Sequence, residues 1–251
     1  MYLKKKPKIG TGHTTSTSIF ATLIISLVLA GCSNLSRTRI EAKDVHVASP
    51  ELRMAYNYDD DKHTALPHTG HAIEFSVTSA KGSGTQSLSA GAPSIELNRT
   101  SFTAPQQMSY DFYFTYGDVS WRWRKFFKES KFGLEVSAGP GFTSLNLQAS
   151  SPTQSTSQRF ENLGARASFG PIFRFTPSSS IQANFLMFYS PLVLSGVRDA
   201  QRYELVYALA LQNNFRLRAG YVKWHIVGYN NFQSDFIVDF AGPLLALDLE
   251  F

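Results

Sequence analysis

From residue 71 to the C-terminus, apolar and polar side chains alternate with a period of two. Ile73, Phe75 and Val77 share one parity, and Glu74, Ser76 and Thr78 share the other. The same pattern returns in Phe132, Leu134 and Val136 around Glu135, and in Leu163 to Phe175 around Arg166, Ser168 and Arg174. It continues in Ile181 to Tyr189, in Tyr203 to Leu211 around Glu204, and in Phe215 to Tyr221 around Arg216 and Arg218. The last run sets Leu245, Leu247, Leu249 and Phe251 against Asp248 and Glu250. Successive side chains of a strand point to opposite faces, so each run predicts a strand with one apolar face.

One stretch is less regular. In 108–126, Tyr110, Phe112, Phe114 and Tyr116 share one parity while Val119, Trp121 and Trp123 share the other, with the switch at Gly117-Asp118. A bulge at the glycine would keep both sets on one face. Without a bulge, one set points inward. The connections alternate in length: 80–106 long, 125–131 short, 148–159 long, 176–180 short, 196–201 intermediate, 212–214 short and 228–235 long. Short turns at one end and longer loops at the other are the habit of outer-membrane barrels. The expectation is an all-β, antiparallel up-and-down transmembrane barrel of eight strands. Counting 51–58 (Leu52, Met54, Tyr56, Tyr58) and 94–100 as strands would make ten.

Composition agrees with a strand-rich, apolar-surfaced protein. Aromatic residues make up 14%, with 20 Phe and 11 Tyr, and charged residues only 17%, against a typical quarter. The polar parity is nonetheless rich in charge. Glu74, Glu135, Arg166, Arg174, Glu204, Arg216, Arg218, Asp248 and Glu250 are expected inside the barrel, paired with one another, with Asp111 joining them if the bulge exists. Such an interior is plugged and excludes a wide pore. Trp121, Trp123, Tyr189, Tyr203 and Tyr221 fall toward strand ends, where an interfacial girdle would lie.

The N-terminal stretch sets the expected compartment. Lys4, Lys5, Lys6 and Lys8 precede an apolar run, Ile19 to Ala30, shorter than the roughly 20 residues of a spanning helix. This is secretory-signal anatomy. The run ends in Leu29-Ala30-Gly31-Cys32, which holds the only cysteine of the chain. The tetrad resembles the lipobox of bacterial lipoproteins, which implies acylation of Cys32, a mature chain beginning there, and passage through the lipoprotein-processing machinery. Ser33 stands where an inner-membrane retention aspartate would, so export to the outer membrane of a Gram-negative envelope is expected. The final Leu247, Leu249 and Phe251 resemble the signal read by the barrel-assembly machinery. The domain expectation is 1–31 signal peptide, 32–70 lipid-anchored polar tether, and 71–251 barrel. Removing the signal's four lysines from 24 basic residues leaves 20 against 19 acidic, a net charge of +1. That balance argues against nucleic-acid binding by bulk charge.

Candidate chemistry is sparse. His46, His63, His68 and His71 with Asp59-Asp60-Asp61 match no common metal-ligand spacing, so neither a metal nor a cofactor is expected. The leading functional reading is a non-enzymatic outer-membrane lipoprotein barrel, in contact with lipid, that serves envelope integrity or surface interaction through its loops. Resemblance in class to lipid A deacylases or acyltransferases would require a nucleophile near His225, with Ser190 and Ser195 as neighbours, but there is no compact His-x-Ser signature. A soluble lipocalin-like carrier would turn the apolar parity inward, and periodicity alone leaves that alternative open.

Overall fold

A computed structural model of the chain describes residues 38–58, 69–127, 130–191, 195–212, 214–230 and 234–251. Cys32, the signal segment, His63, His68 and the three aspartates lie outside them. The described residues form strands and no helix: β1 (Thr38–His46), β2 (Ser49–Asn57), β3 (Gly70–Leu88), β4 (Ile95–Leu97), β5 (Thr100–Phe102), β6 (Gln106–Phe126), β7 (Phe132–Ser150), β8 (Ser155–Thr176), β9 (Ser179–Tyr189), β10 (Gly196–Gln212), β11 (Phe215–Asn230) and β12 (Ser234–Glu250).

Ten of these form one sheet in the order β1-β12-β11-β10-β9-β8-β7-β6-β3-β2, and β12 also pairs with β2, which brings the sheet round into a ring. β1 and β2 lie end to end along β12, both parallel to it. Thr38 to His46 pair with Ser234 to Ala241, and Ser49 to Ala55 pair with Leu244 to Glu250. The interruption between them falls opposite Gly242-Pro243. Proline has no N–H to donate there, and a Cβ on Gly242 would sit 2.1 Å from the Val47 carbonyl oxygen. Taken together, β1 and β2 make one kinked stave, and the ring has nine staves rather than eight. The stretch 38–57, read from sequence as tether, supplies that first stave. The segment 94–100 contributes to the separate β4–β5 hairpin and adds no stave.

An odd count with parallel closure puts the start of the first stave and the end of the last at opposite ends. Phe251 lies at the end carrying the short connections around 127–131, 177–178 and 213–214, here the turn end, whereas Thr38 pairs with Ser234 at the other, the loop end. The seam at the turn end is clasped by backbone bonds: Asn57 N donates to Phe251 O (2.7 Å) and Phe251 N to Ala55 O (2.9 Å). Toward the loop end the ring is open. β2 pairs with β3 only as far as Thr78, and beyond it β1 meets β3 through side chains. A Cβ on Gly82 would lie 2.7 Å from Val45 Cγ1, so glycine is what lets β1 tuck against β3 there.

β6 resolves the parity question. Its ladder with β3 runs without a register shift from Gly70↔Arg124 to Leu88↔Gln106, so no bulge occurs at Gly117. Tyr110, Phe112, Phe114 and Tyr116 are therefore buried inside, Trp121 and Val119 are exposed outside, and Asp111 faces out. The other staves make the same exchange. In the loop half the inward residues are apolar (Leu145, Leu147, Phe160, Phe188, Trp224, Phe240) and the outward ones polar (Lys81, Ser83, Gln107, Asn146, Gln148, Arg159, Glu161). In the turn half the inward residues are mainly charged or small and polar, and the outward ones are Phe75, Trp121, Phe132, Phe169, Leu205, Tyr207, Leu209, Leu211 and Leu245. The answer to which side of the barrel is apolar differs between its two halves.

Ring closure through β2 is directly testable. With Cys32 changed to Ser, the pair Leu52→Cys/Leu247→Cys, which are register partners, should be joined by a short bis-maleimide. Leu52→Cys/Leu217→Cys, one stave further apart, should not.

Candidate functional site

The turn half encloses an ionic network. Seven arginines (53, 122, 124, 166, 202, 216, 218) and seven acids (Glu51, Glu74, Asp118, Glu135, Glu204, Asp248, Glu250) are buried there. Every strand alternates, so each of these side chains points inward because its chain neighbours point out to an apolar surface. Arg218 bridges Asp248 (Nε to Oδ1, 2.8 Å) and Glu204, and Arg216 grips Asp248 (2.9 and 2.6 Å) while reaching Glu250 at 3.2 Å. Glu250 also accepts from Arg122 (3.1 Å) and Arg124 (3.2 Å). Arg124 then meets Glu135 (2.7 Å), and Arg122 meets Glu74 (3.1 Å). Arg166 lies 3.0 Å from Asp118, whose other oxygen accepts from Ser76 Oγ at 2.6 Å. Across the seam, Arg202 pairs with Glu51 and with Glu204 (2.6 Å), and Arg53 with Glu51 (2.6 Å). One connected, charge-balanced mesh thus ties eight of the nine staves, with β9 adding Gln182 and Asn184. A cavity beside it, bounded by Arg53, Glu135, Gln182, Asn184 and Glu204, measures about 10 Å³, the scale of a single water.

The loop half encloses an apolar core, and the long β3–β6 connection folds onto it. Ile95 and Leu97 of β4 and Phe102 of β5 are fully buried in the same cluster as Phe112, Phe160, Phe236 and Trp224. The hairpin is held by Asn98, which donates from Nδ2 to Ser157 O (3.1 Å) and from its backbone N–H to Gln158 Oε1 (3.1 Å), and by Gln154, whose amide donates to Ser101 O (2.8 Å). Inside, Phe114, Tyr116, Trp224 and Phe240 stack or meet edge-on with centroids 5.1 to 6.3 Å apart. Ionic mesh, aromatic core and hairpin plug lie in series along the barrel.

On the outer wall, one polar cluster breaks the pattern. Gln201, His225 and Asp239 are register partners across β10, β11 and β12, with Tyr203 and Lys223 paired in the next row. His225 Nδ1 lies 2.5 Å from Asp239 Oδ1, and Tyr203 OH donates to Gln201 Oε1 at 3.0 Å. These five residues line an open groove of about 400 Å³. Neither serine considered from sequence completes it. Ser190 Oγ donates to Leu163 O (2.6 Å), and Ser195 precedes Gly196, whose partner Tyr229 is four residues beyond His225.

No protein-family model, curated protein or solved structure matches this chain.

Of the interior charges named from sequence, Glu74, Glu135, Arg166, Glu204, Arg216, Arg218, Asp248 and Glu250 lie in the mesh. Arg174 is instead at the turn-end mouth, only half-buried, with its guanidinium 3.9 Å from the Phe126 ring centroid. Six members were missed: Glu51, Arg53, Asp118, Arg122, Arg124 and Arg202. Glu51 and Arg53 fell in the supposed tether. Arg122 and Arg124 alternate with Trp121 and Trp123, a signal that was available. Of the assembly-signal residues, Leu247 and Leu249 are half-buried on the outer face and Phe251 is exposed. His46 is exposed, and His71 stacks against Trp121 with centroids 5.4 Å apart. Among the described residues no group of three metal-ligating side chains occurs.

Removing one partner of a buried ion pair strands the other, at about 3–5 kcal/mol, whereas replacing a pair by apolar residues is often near neutral. Arg218→Leu, which leaves Asp248 and Glu204 in excess, should lower unfolding stability by about that amount. The double change Arg216→Met/Asp248→Leu should lower it less than either single change, as read by denaturant titration.

Proposed function

We propose that the protein is a non-enzymatic outer-membrane β-barrel lipoprotein, plugged throughout, that presents its loop half beyond the membrane for envelope integrity or surface interaction. The exchange of polarity at one level carries this reading. An outer surface of Leu205, Tyr207, Leu209, Leu211, Phe169 and Leu245 around fourteen buried ions is the wrong way out for water and the right way out for lipid. The belt has the fitting height. Tyr203 to Leu211 is eight residue steps, about 27 Å along the strand at ~3.4 Å per residue, or about 20 Å of height at a ~40° tilt, near the ~25 Å apolar band of such barrels. The loop half, polar outside and apolar inside, is built like a soluble protein and would stand in water.

The filled interior disfavours a ligand carrier, and the His225–Asp239 pair without a serine disfavours an acyl-enzyme mechanism.

Fractionation of the native host, with heat-modifiable gel migration of the chain and of Cys32→Ala, tests the proposal. The expected result is outer-membrane recovery of both, each migrating faster unheated than boiled. Release of Cys32→Ala into the periplasm as a soluble protein would overturn it.

A further inference from the structure

The groove on the outer wall lies where, in the proposed orientation, the apolar belt ends. Below it on the same staves are Tyr203, Leu205, Tyr221 and Leu245, all exposed. The groove itself is lined by Gln201, Tyr203, Lys223, His225 and Asp239. A bare lipid-facing wall needs none of this. Asp239 holds Nδ1 of His225 at 2.5 Å, which turns Nε2 away from the carboxylate. Tyr203 occupies Gln201 Oε1 (3.0 Å), which leaves the Gln201 amide N–H groups as its free polar function. Lys223 is exposed and pairs in register with Tyr203. An ammonium, an imidazole and an amide, the last two oriented by neighbours, thus converge on one groove at the rim of an apolar surface.

We infer that this groove binds the phosphate head of an acylated amphiphile, with Lys223, Gln201 Nε2 and the Nε2–H of His225 as the imidazolium, its Nδ1–H given to Asp239, donating to phosphate oxygens, and the acyl chain lying on Tyr203, Leu205, Tyr221 and Leu245. The inference rests on the membrane reading for the chain's acyl contact, but not for the phosphate contact. Asp239 is the orienting group, since its carboxylate would repel an anion that it met directly. Charge-assisted hydrogen bonds to phosphate are about twice as strong as neutral ones, so removing one donor should be visible. The groove is lined by no serine, threonine or cysteine among the described residues, and the assignment made here is binding.

The test uses the mature chain, delipidated in detergent and offered equal phosphatidic acid and phosphatidylcholine, with retained lipid counted by native mass spectrometry. The wild type should retain phosphatidic acid in preference, and Lys223→Ala and His225→Ala should each lower that retention about tenfold, a change of ~1.4 kcal/mol. Lys81→Ala, on the outer face of β3, should leave it unchanged. Equal retention by wild type, Lys223→Ala and His225→Ala would overturn the assignment. Should the chain purify as a soluble protein, the membrane reading fails separately, and titration with inorganic phosphate then reads the groove alone. Saturable movement of the His225 imidazole resonances, absent in Lys223→Ala, would keep the phosphate site with free phosphate as its source. No movement would overturn it.

Discussion

The interior of the turn half has to satisfy seven guanidinium groups and seven carboxylates buried away from bulk solvent. An isolated buried ion carries several kcal/mol of desolvation, and only close pairing with the remaining hydrogen-bonding positions filled recovers it. The mesh achieves the pairing by linking ions across neighbouring staves, while Arg122 Nε, Arg166 Nε and Arg202 Nε are buried without a hydrogen-bond partner. Asp248 holds Arg216 and Arg218, while Glu250 holds Arg122, Arg124 and Arg216. The register of the ring follows from this constraint, because a one-residue slip of any stave would turn its charges onto the apolar belt.

The same constraint accounts for the ninth stave. Without β2, Arg202 and Arg218 would lose Glu51, and Glu204 would lose Arg53. Parallel pairing of β2 on β12 brings Arg53 level with Asp248 in register and closes the mesh across the seam. Above it the ring has no ionic interior to complete. There closure relaxes into side-chain packing of β1 against the glycines of β3, and the β4–β5 hairpin covers the apolar core. The two halves thus differ in how they close as well as in what they contain.

Most of the strands and both faces of each were readable from period-two alternation, because alternation reports the side-chain direction of a strand whatever its surroundings. What alternation cannot report is which face meets which solvent. At Gly117-Asp118 the apolar parity changes, and a bulge and an exchange of environment leave the same trace in sequence. Only the unbroken β3–β6 ladder separates them. The first stave was hidden for another reason: Thr38 to Asn57 is short, mixed in charge and broken at Val47-Ala48, and its parallel partner lies almost 200 residues away. The loops were over-read for a related reason. The polar residues 148–150, 155–159, 228–230 and 234–235 belong to strands, since in the loop half the outward positions are polar. The outer groove was visible only as a lone His225, because Gln201 and Asp239 join it through register rather than through spacing along the chain.

The central claim is that the level at which interior and exterior exchange polarity is the edge of a membrane. The most direct measurement places single cysteines along the outer face of β7 in a Cys32→Ser background, labels them with an environment-sensitive fluorophore and reconstitutes the protein in lipid. Labels at Leu134, Val136 and Ala138 should emit in the blue and be quenched by brominated lipid, while labels at Asn146 and Gln148 should emit in the red and be quenched by aqueous iodide. Iodide quenching of equal strength at all five positions would contradict the account.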